Sequence, residues 1–164
     1  MNFDAQFFRG YVFTVPVVAR LHELDHAASQ ILSGGAPEGS CFPPTVVKGV
    51  TPEMRLYSEE SFGPVLAVMA ADGPDDAVRL ASDTDYGLSA AVFGSDVPAA
   101  LEIAQRIESG ICHVNDTTVH DEPQMPFGGV KASGFGRFGG RAALEEFTEL
   151  RWITVQQLPR QYPI

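Results

Sequence analysis

Glu59-Glu60-Ser61-Phe62-Gly63-Pro64-Val65 runs without a break into the apolar stretch Leu66-Ala67-Val68-Met69-Ala70. Two adjacent carboxylates and an aromatic ring precede a Gly-Pro turn, and a continuous hydrophobic segment follows. A short apolar run bounded by turn residues predicts a buried strand, here over residues 64–70. The next segment predicts a helix. Gly73-Pro74 opens it, and Asp75 and Asp76 sit in its first turn, where carboxylates suit the helix dipole. Ala77, Val78, Leu80 and Ala81 give it an apolar face.

The same alternation continues outward. Asp85-Tyr86-Gly87 predicts a turn and residues 88–93 a second buried strand. A helix follows with clear punctuation: Asp96 can cap it, Pro98 fits its first turn and Gly110 lies past its end. Residues 111–115 predict a strand, residues 141–147 a helix and residues 150–156 a terminal β-branched strand. Between them, residues 116–140 predict a long loop dense in Gly and Pro. A loop of that length in a compact domain is uncommon unless it is functional.

Toward the N-terminus, residues 45–50 predict a strand and residues 36–44 a loop. Residues 17–31 predict a helix ended by Gly34-Gly35. Phe3, Phe7, Phe8, Tyr11, Val12 and Phe13 crowd the first residues, with a strand over 11–15 that Pro16 interrupts. Strands alternating with helices imply βαβ units, hence an α/β fold with a mixed or parallel sheet.

A chain of 164 residues is one domain or a piece of a larger one. Eleven basic against 21 acidic side chains give a net charge of −10. That balance excludes nucleic acid, whose phosphates require Lys and Arg, and argues against an anionic membrane surface. Cys41 and Cys112 are far apart and form neither a disulfide framework nor a CxxC metal site, so reduced cytoplasmic thiols are expected. The apolar run at 11–19 is too short to span a bilayer and has no basic segment before it.

Other patterns are weaker. Gly134-Phe135-Gly136-Arg137-Phe138-Gly139 matches GxGxxG, but a loop precedes it and no carboxylate stands twenty residues on, at Leu158-Pro159. It reads instead as a glycine loop allowing close backbone approach. Gly129-Val130-Lys131-Ala132-Ser133 lacks the adjoining Gly-Lys-Ser/Thr of a phosphate loop. His113, His120 and Asp121 do not make a metal site, because no second ligand pair lies nearby. Cys112 reads as a small apolar strand residue, and Cys41 as a loop thiol without an activating base. No metal ligand and no catalytic residue is therefore assigned. Glu59 and Glu60 on their own read as a solvated loop ahead of a strand; the whole string raises a second reading, in which a carboxylate accepts from both hydroxyls of a ribose.

Taken together, the motifs resemble the C-terminal third of an NAD(P)-dependent aldehyde dehydrogenase, densely from about residue 33 to 157. They are Gly34-Gly35, Phe42-Pro43-Pro44-Thr45-Val46, the string from Glu59 to Val65, Asp85-Tyr86-Gly87-Leu88-Ser89-Ala90-Ala91-Val92-Phe93, Gly110 to Asn115, Pro126-Phe127-Gly128-Gly129-Val130-Lys131, Ser133-Gly134 and Gly136-Arg137. The stretch from Thr118 to Pro126, with Phe138-Gly139-Gly140 and Phe147 to Trp152, is similar to the benzaldehyde, vanillin and salicylaldehyde dehydrogenases. The resemblance implies oxidation of an aldehyde, aromatic in type, with NAD or NADP. It implies that Glu60 binds the nicotinamide ribose, that Phe62 packs beside that ribose and the nicotinamide, and that Phe127 lines the substrate tunnel. It divides the chain into an unmatched segment at 1–20, an aldehyde dehydrogenase part at 21–157 and a tail at 158–164.

The family's nucleophilic cysteine, glutamate base and main dinucleotide-binding domain lie upstream of everything matched. The expectation is thus a partial catalytic domain, truncated and inactive alone. The alternative is a non-catalytic module whose C-terminal strand supports a homo-oligomer or docks on an intact paralogue.

Overall fold

The computed structural model describes residues 29–37, 39, 41–60 and 63–163. The strand expected at 11–15, nearly all of the helix at 17–31 and the segment 1–20 lie outside the described residues.

Three strands form the first sheet, in the order β1-β2-β3. β1 (Gln30–Ser33) runs antiparallel to β2 (Thr45–Lys48), and β2 runs parallel to β3 (Val65–Val68). A single helical turn, α1 (Arg55–Ser58), stands between β2 and β3. Residues 30 and 31 are therefore strand, not the end of a helix. Gly34-Gly35 does not cap a helix either. A Cβ on Gly34 would lie 2.3 Å from the Pro44 carbonyl, so the glycine permits a close crossing of two backbones. Gly35 N–H donates to the buried Thr45 hydroxyl, which itself donates to Pro43 O. That buried hydroxyl is satisfied twice over, consistent with its place in the core.

β3 falls where the sequence predicts, but it is not buried on both faces. Val65 and Ala67 are buried, whereas Leu66 and Val68 are half-exposed. The inward residues pack with Val47, Val50 and Tyr57 into one apolar cluster. The period-two pattern follows from strand geometry once only one face of the sheet is fully covered.

α2 (Pro74–Ser82) then begins with Pro74 and the two predicted aspartates. Val78 joins a second apolar cluster, while Leu80 packs against the first. One short helix is thus shared by both cores. β4 (Tyr86–Gly87) occupies the segment expected to be only a turn. β5 (Ser89–Val92) and β6 (Ile111–Val114) pair in parallel, with α3 (Val97–Ala104) between them in sequence. Val92 from β5, Ala100, Ile103 and Ala104 from α3, and Ile107 just beyond it fill the second cluster. Asp96 caps α3 as predicted, accepting from Ala99 N at 3.1 Å.

The expected loop at 116–140 contains β7 (Val130–Lys131), antiparallel to β4, and an antiparallel bridge between Phe127 and Phe138. α4 (Gly140–Glu146) follows. Residues 150–156, expected to be a strand, join no ladder among the described residues. Leu150, Trp152 and Val155 there are 107%, 88% and 80% exposed. A strand exists only through hydrogen bonds to a neighbour, and no other described segment of this chain pairs with it. No helix among the described residues is long and apolar enough to cross a membrane.

Candidate functional site

The two adjacent acids differ in their surroundings. Glu59 caps α1, and its carboxylate is held in a fork by Arg55 one turn earlier, with Nε–Oε1 and Nη2–Oε2 both 2.8 Å. Such a bidentate pair commits both oxygens of Glu59 to its own turn. Glu60 follows at the exit from the turn and is half-buried. Phe62 lies outside the described residues. Tyr57, inside α1, is buried, and its hydroxyl donates to Asp83 Oδ2 at 2.5 Å.

Phe127 sits in a hairpin rather than a slack loop. Its N–H donates to Phe138 O and Phe138 N–H donates to Phe127 O, both at 2.7 Å. Phe127 is half-buried, while Phe138 is mostly exposed. Gly128 and Gly129 follow because side chains would not fit. A Cβ on Gly128 would lie 2.6 Å from Gly136 O, and one on Gly129 2.5 Å from Ser133 Cβ. Arg137 Nη1 donates inside the hairpin to Gly129 O and Gly136 O at 2.8 and 2.7 Å. The hairpin is sewn to the turn before β5. Ala132 N–H donates to Asp85 O, and Gly87 N–H donates to Ser133 Oγ.

Lys131, which the sequence excludes from a phosphate loop, has another task. Its ammonium donates to Ser82 O at 2.6 Å and Thr84 O at 3.1 Å, and pairs with Glu108 Oε2 at 2.5 Å. The segments bearing Glu60 and Phe127 therefore both attach to the C-terminal end of α2. A cleft of about 210 Å³ lies at that junction, lined by Tyr57, Ser58, Ser82, Asp83, Thr84 and Asp85. Sequence reasoning gives Tyr57, Asp83 and Lys131 no part in a site. Only the aromatic ring just ahead of the paired acids hints at an anchor there.

Of the GxGxxG match, Gly134 faces open space and Gly136 the Glu146 carboxylate, while Gly139, with Gly140 beside it, serves a close backbone crossing. A Cβ on Gly139 would lie 2.1 Å from Met125 O, and Gly140 N–H donates to Pro123 O. His113 and His120 come together, with ring centroids 5.8 Å apart. His120 contacts Asp116 at 2.7 Å through Nδ1 and Glu122 at 3.5 Å through Nε2. The bond from Thr117 N–H to Asp116, aided by His120, holds that carboxyl below its usual range. Among the described residues no three His, Cys, Asp or Glu side chains form a group able to hold a metal ion. Burial pushes the Cys112 thiol up, against a hydrogen bond with Ser109. Cys41 is exposed in its loop.

The aldehyde dehydrogenase family model matches residues 17–153. The chain belongs to the aldehyde dehydrogenase family. It is 57% identical over 141 residues to the vanillin dehydrogenase of Pseudomonas sp. (strain HR199 / DSM 7063), covering 86% of this chain and 29% of that protein. Among solved structures it is similar to a salicylaldehyde dehydrogenase from Pseudomonas putida G7 complexed with salicylaldehyde, at 40% identity and a TM-score of 0.83. That match covers 90% of this chain and 31% of the other. A Mycobacterium tuberculosis aldehyde dehydrogenase complexed with NAD+ matches at 36% identity and a TM-score of 0.74, over 81% of this chain and 28% of its own. The chain thus spans about three-tenths of the length of these aldehyde dehydrogenases.

Proposed function

We propose that the chain supplies cofactor and substrate contacts for oxidation of an aromatic aldehyde to its carboxylic acid with NAD(P)+. The likeness to vanillin dehydrogenase at 57% identity carries this assignment. Glu60 holds the nicotinamide ribose, Phe62 packs beside that ribose, and Phe127 walls the substrate. The described residues fit the cofactor in one specific respect. Arg55 holds Glu59 in a fork, and Glu60 follows at the exit of the turn. Its carboxylate can accept from both ribose hydroxyls. When bound, NAD(P)+ supplies the hydride acceptor. Phe127, fixed by its hairpin, offers a rigid apolar wall for a flat substrate. Residues 21–157 form the aldehyde dehydrogenase part of the chain, and a cytoplasmic setting suits its two free thiols.

By itself the chain does not turn over. The reaction needs a thiolate, and burial keeps Cys112 protonated. Cys41 stands in an exposed loop with no activating context in the sequence. Purified chain incubated with benzaldehyde or vanillin and NAD+ or NADP+ is expected to form no NAD(P)H. Turnover that Cys41→Ala abolishes would overturn this.

A second function is favoured by the exposed apolar side chains of residues 150–156, which have no ladder partner among the described residues. In this role the segment adds as a strand to a second copy or to an intact aldehyde dehydrogenase. Mass in solution, alone and mixed with such an enzyme, tests it. A monomer that ignores every such enzyme counts against it.

A further inference from the structure

The proposed ribose acid and the proposed substrate wall lie on separate segments, 67 positions apart in the sequence by the difference of 127 and 60. Each segment carries one long side chain that reaches the same short stretch, Ser82 to Thr84. From the α1 side, buried Tyr57 donates its hydroxyl to Asp83 Oδ2. From the hairpin side, Lys131 donates to the carbonyls of Ser82 and Thr84, the residues on either side of Asp83. A lysine ammonium has three N–H donors and no acceptor. With Glu108 as its third partner, Lys131 has an acceptor for each. It also stands at φ +55°, in the left-handed region that a side chain ordinarily avoids. Glycine would relieve that strain but could not make these bonds. Glu108 N–H donates to Ser82 Oγ, which closes the junction from a third direction.

We propose that Tyr57 and Lys131 are positioning residues, which clamp the C-terminal end of α2 from two sides and so set where Glu60 stands relative to Phe127. This rests on the roles proposed above for Glu60 and Phe127. Tyr57 acts three positions before Glu60, through the end of α1 and its cap Glu59. Lys131 acts four positions after Phe127, through Gly128 and Gly129, whose crowded backbones leave little slack. Ser82 closes α2, and its carbonyl accepts from Thr84 N–H at 2.9 Å and from Lys131 as well, at the helix C-terminus where a cation is favourably placed. The engaged ammonium also assigns Lys131 to the scaffold rather than to a phosphate or carboxylate of a ligand.

The test uses the purified chain with Tyr57→Phe, Lys131→Met, Lys131→Arg and Glu108→Gln. Tyr57→Phe keeps the ring in the core and removes only the hydroxyl. Glu108→Gln removes one charge and covers the case in which Lys131→Met does not fold. Amide exchange is followed at Phe127 and Phe138, with the amides of β5 and β6 as internal control. Lys131→Met is expected to speed exchange at Phe127 on the order of tenfold, with Lys131→Arg partly restoring it. Tyr57→Phe, on the other side of the junction, is expected to speed the same amides by about threefold and leave β5 and β6 unchanged.

Binding of NADH and of benzaldehyde is titrated in parallel, with Glu60→Gln and Phe127→Ala as references. Weaker NADH binding in Lys131→Met and weaker benzaldehyde binding in Tyr57→Phe, each across the junction from its ligand, support the clamp. Unchanged exchange at Phe127 in Tyr57→Phe overturns the clamp and leaves the roles of Glu60 and Phe127 standing. Ligand binding indifferent to both Glu60→Gln and Phe127→Ala overturns those roles, and the positioning assignment falls with them even if exchange is coupled.

Discussion

β3 and residues 150–156 are both short apolar segments, and in the sequence both read as strands. In the structure Val65 is 5% exposed while Val155 is 80% exposed. The difference lies in what runs alongside. β3 has β2 in parallel register from Thr45–Val65 to Lys48–Val68, and Tyr57 and Val50 beneath. Residues 150–156 have no ladder partner among the described residues. Side-chain pattern makes a segment competent to be a strand, and a neighbour with free backbone groups makes it one.

The sharpest way to break that comparison is to charge each segment in turn. Val65 of β3 is buried in the first cluster, so Val65→Asp should lose at least about 4 kcal/mol in urea unfolding, because an unpaired carboxylate would enter the core. Val155→Asp should stay within about 0.5 kcal/mol of the parent. If both variants lose stability equally, the C-terminal segment is packed in solution and the contrast fails.

A smaller effect probes the second cluster. Asp96→Ala removes the side-chain acceptor of Ala99 N–H at the start of α3. The expected loss is about 1 kcal/mol, read from the same denaturation curves. Asp96→Asn, which keeps an acceptor, should recover most of it.

The smallest effect is electrostatic and lies at Asp116, ahead of the hairpin. The Asp116 carboxyl is held below its usual range, chiefly by Thr117 N–H and then by His120. A carboxyl depressed in the folded state adds stability that is present above its unfolded pKa. That stability is lost as pH falls through the folded value. Amide exchange at Thr117 should therefore stay slow through the ordinary carboxylate range and quicken only below it. Asp116→Asn should remove that acid step, and an unchanged pH profile in the variant would show that another group governs the turn.

Much of the fold is legible in the sequence because its signals are local. Pro74 with Asp75 and Asp76, the Asp96 cap, and the apolar runs at β3, β5 and β6 all lie where the sequence predicts. Gly34-Gly35 misleads because glycine serves two purposes, a helix end and a close crossing. Only the Pro44 carbonyl, 2.3 Å from where a Gly34 side chain would begin, distinguishes them. The loop at 116–140 conceals a hairpin because two-residue strands and a single bridge are too short for any periodic signal.

For the site, the motif around Glu60 and the segment bearing Phe127 are visible in the residues, as is membership of the family. The fork that holds Glu59 is not, since it depends on Arg55 lying one helical turn away and facing that carboxylate. Nor is the junction at Ser82 to Thr84, where Tyr57 arrives from 26 positions before Asp83 and Lys131 from 49 positions beyond Ser82. Composition, caps and hydrophobic period act over a few residues, so one chain's sequence suffices for them. A clamp between distant segments is a property of three-dimensional proximity, and only the folded backbone brings those atoms within hydrogen-bond reach.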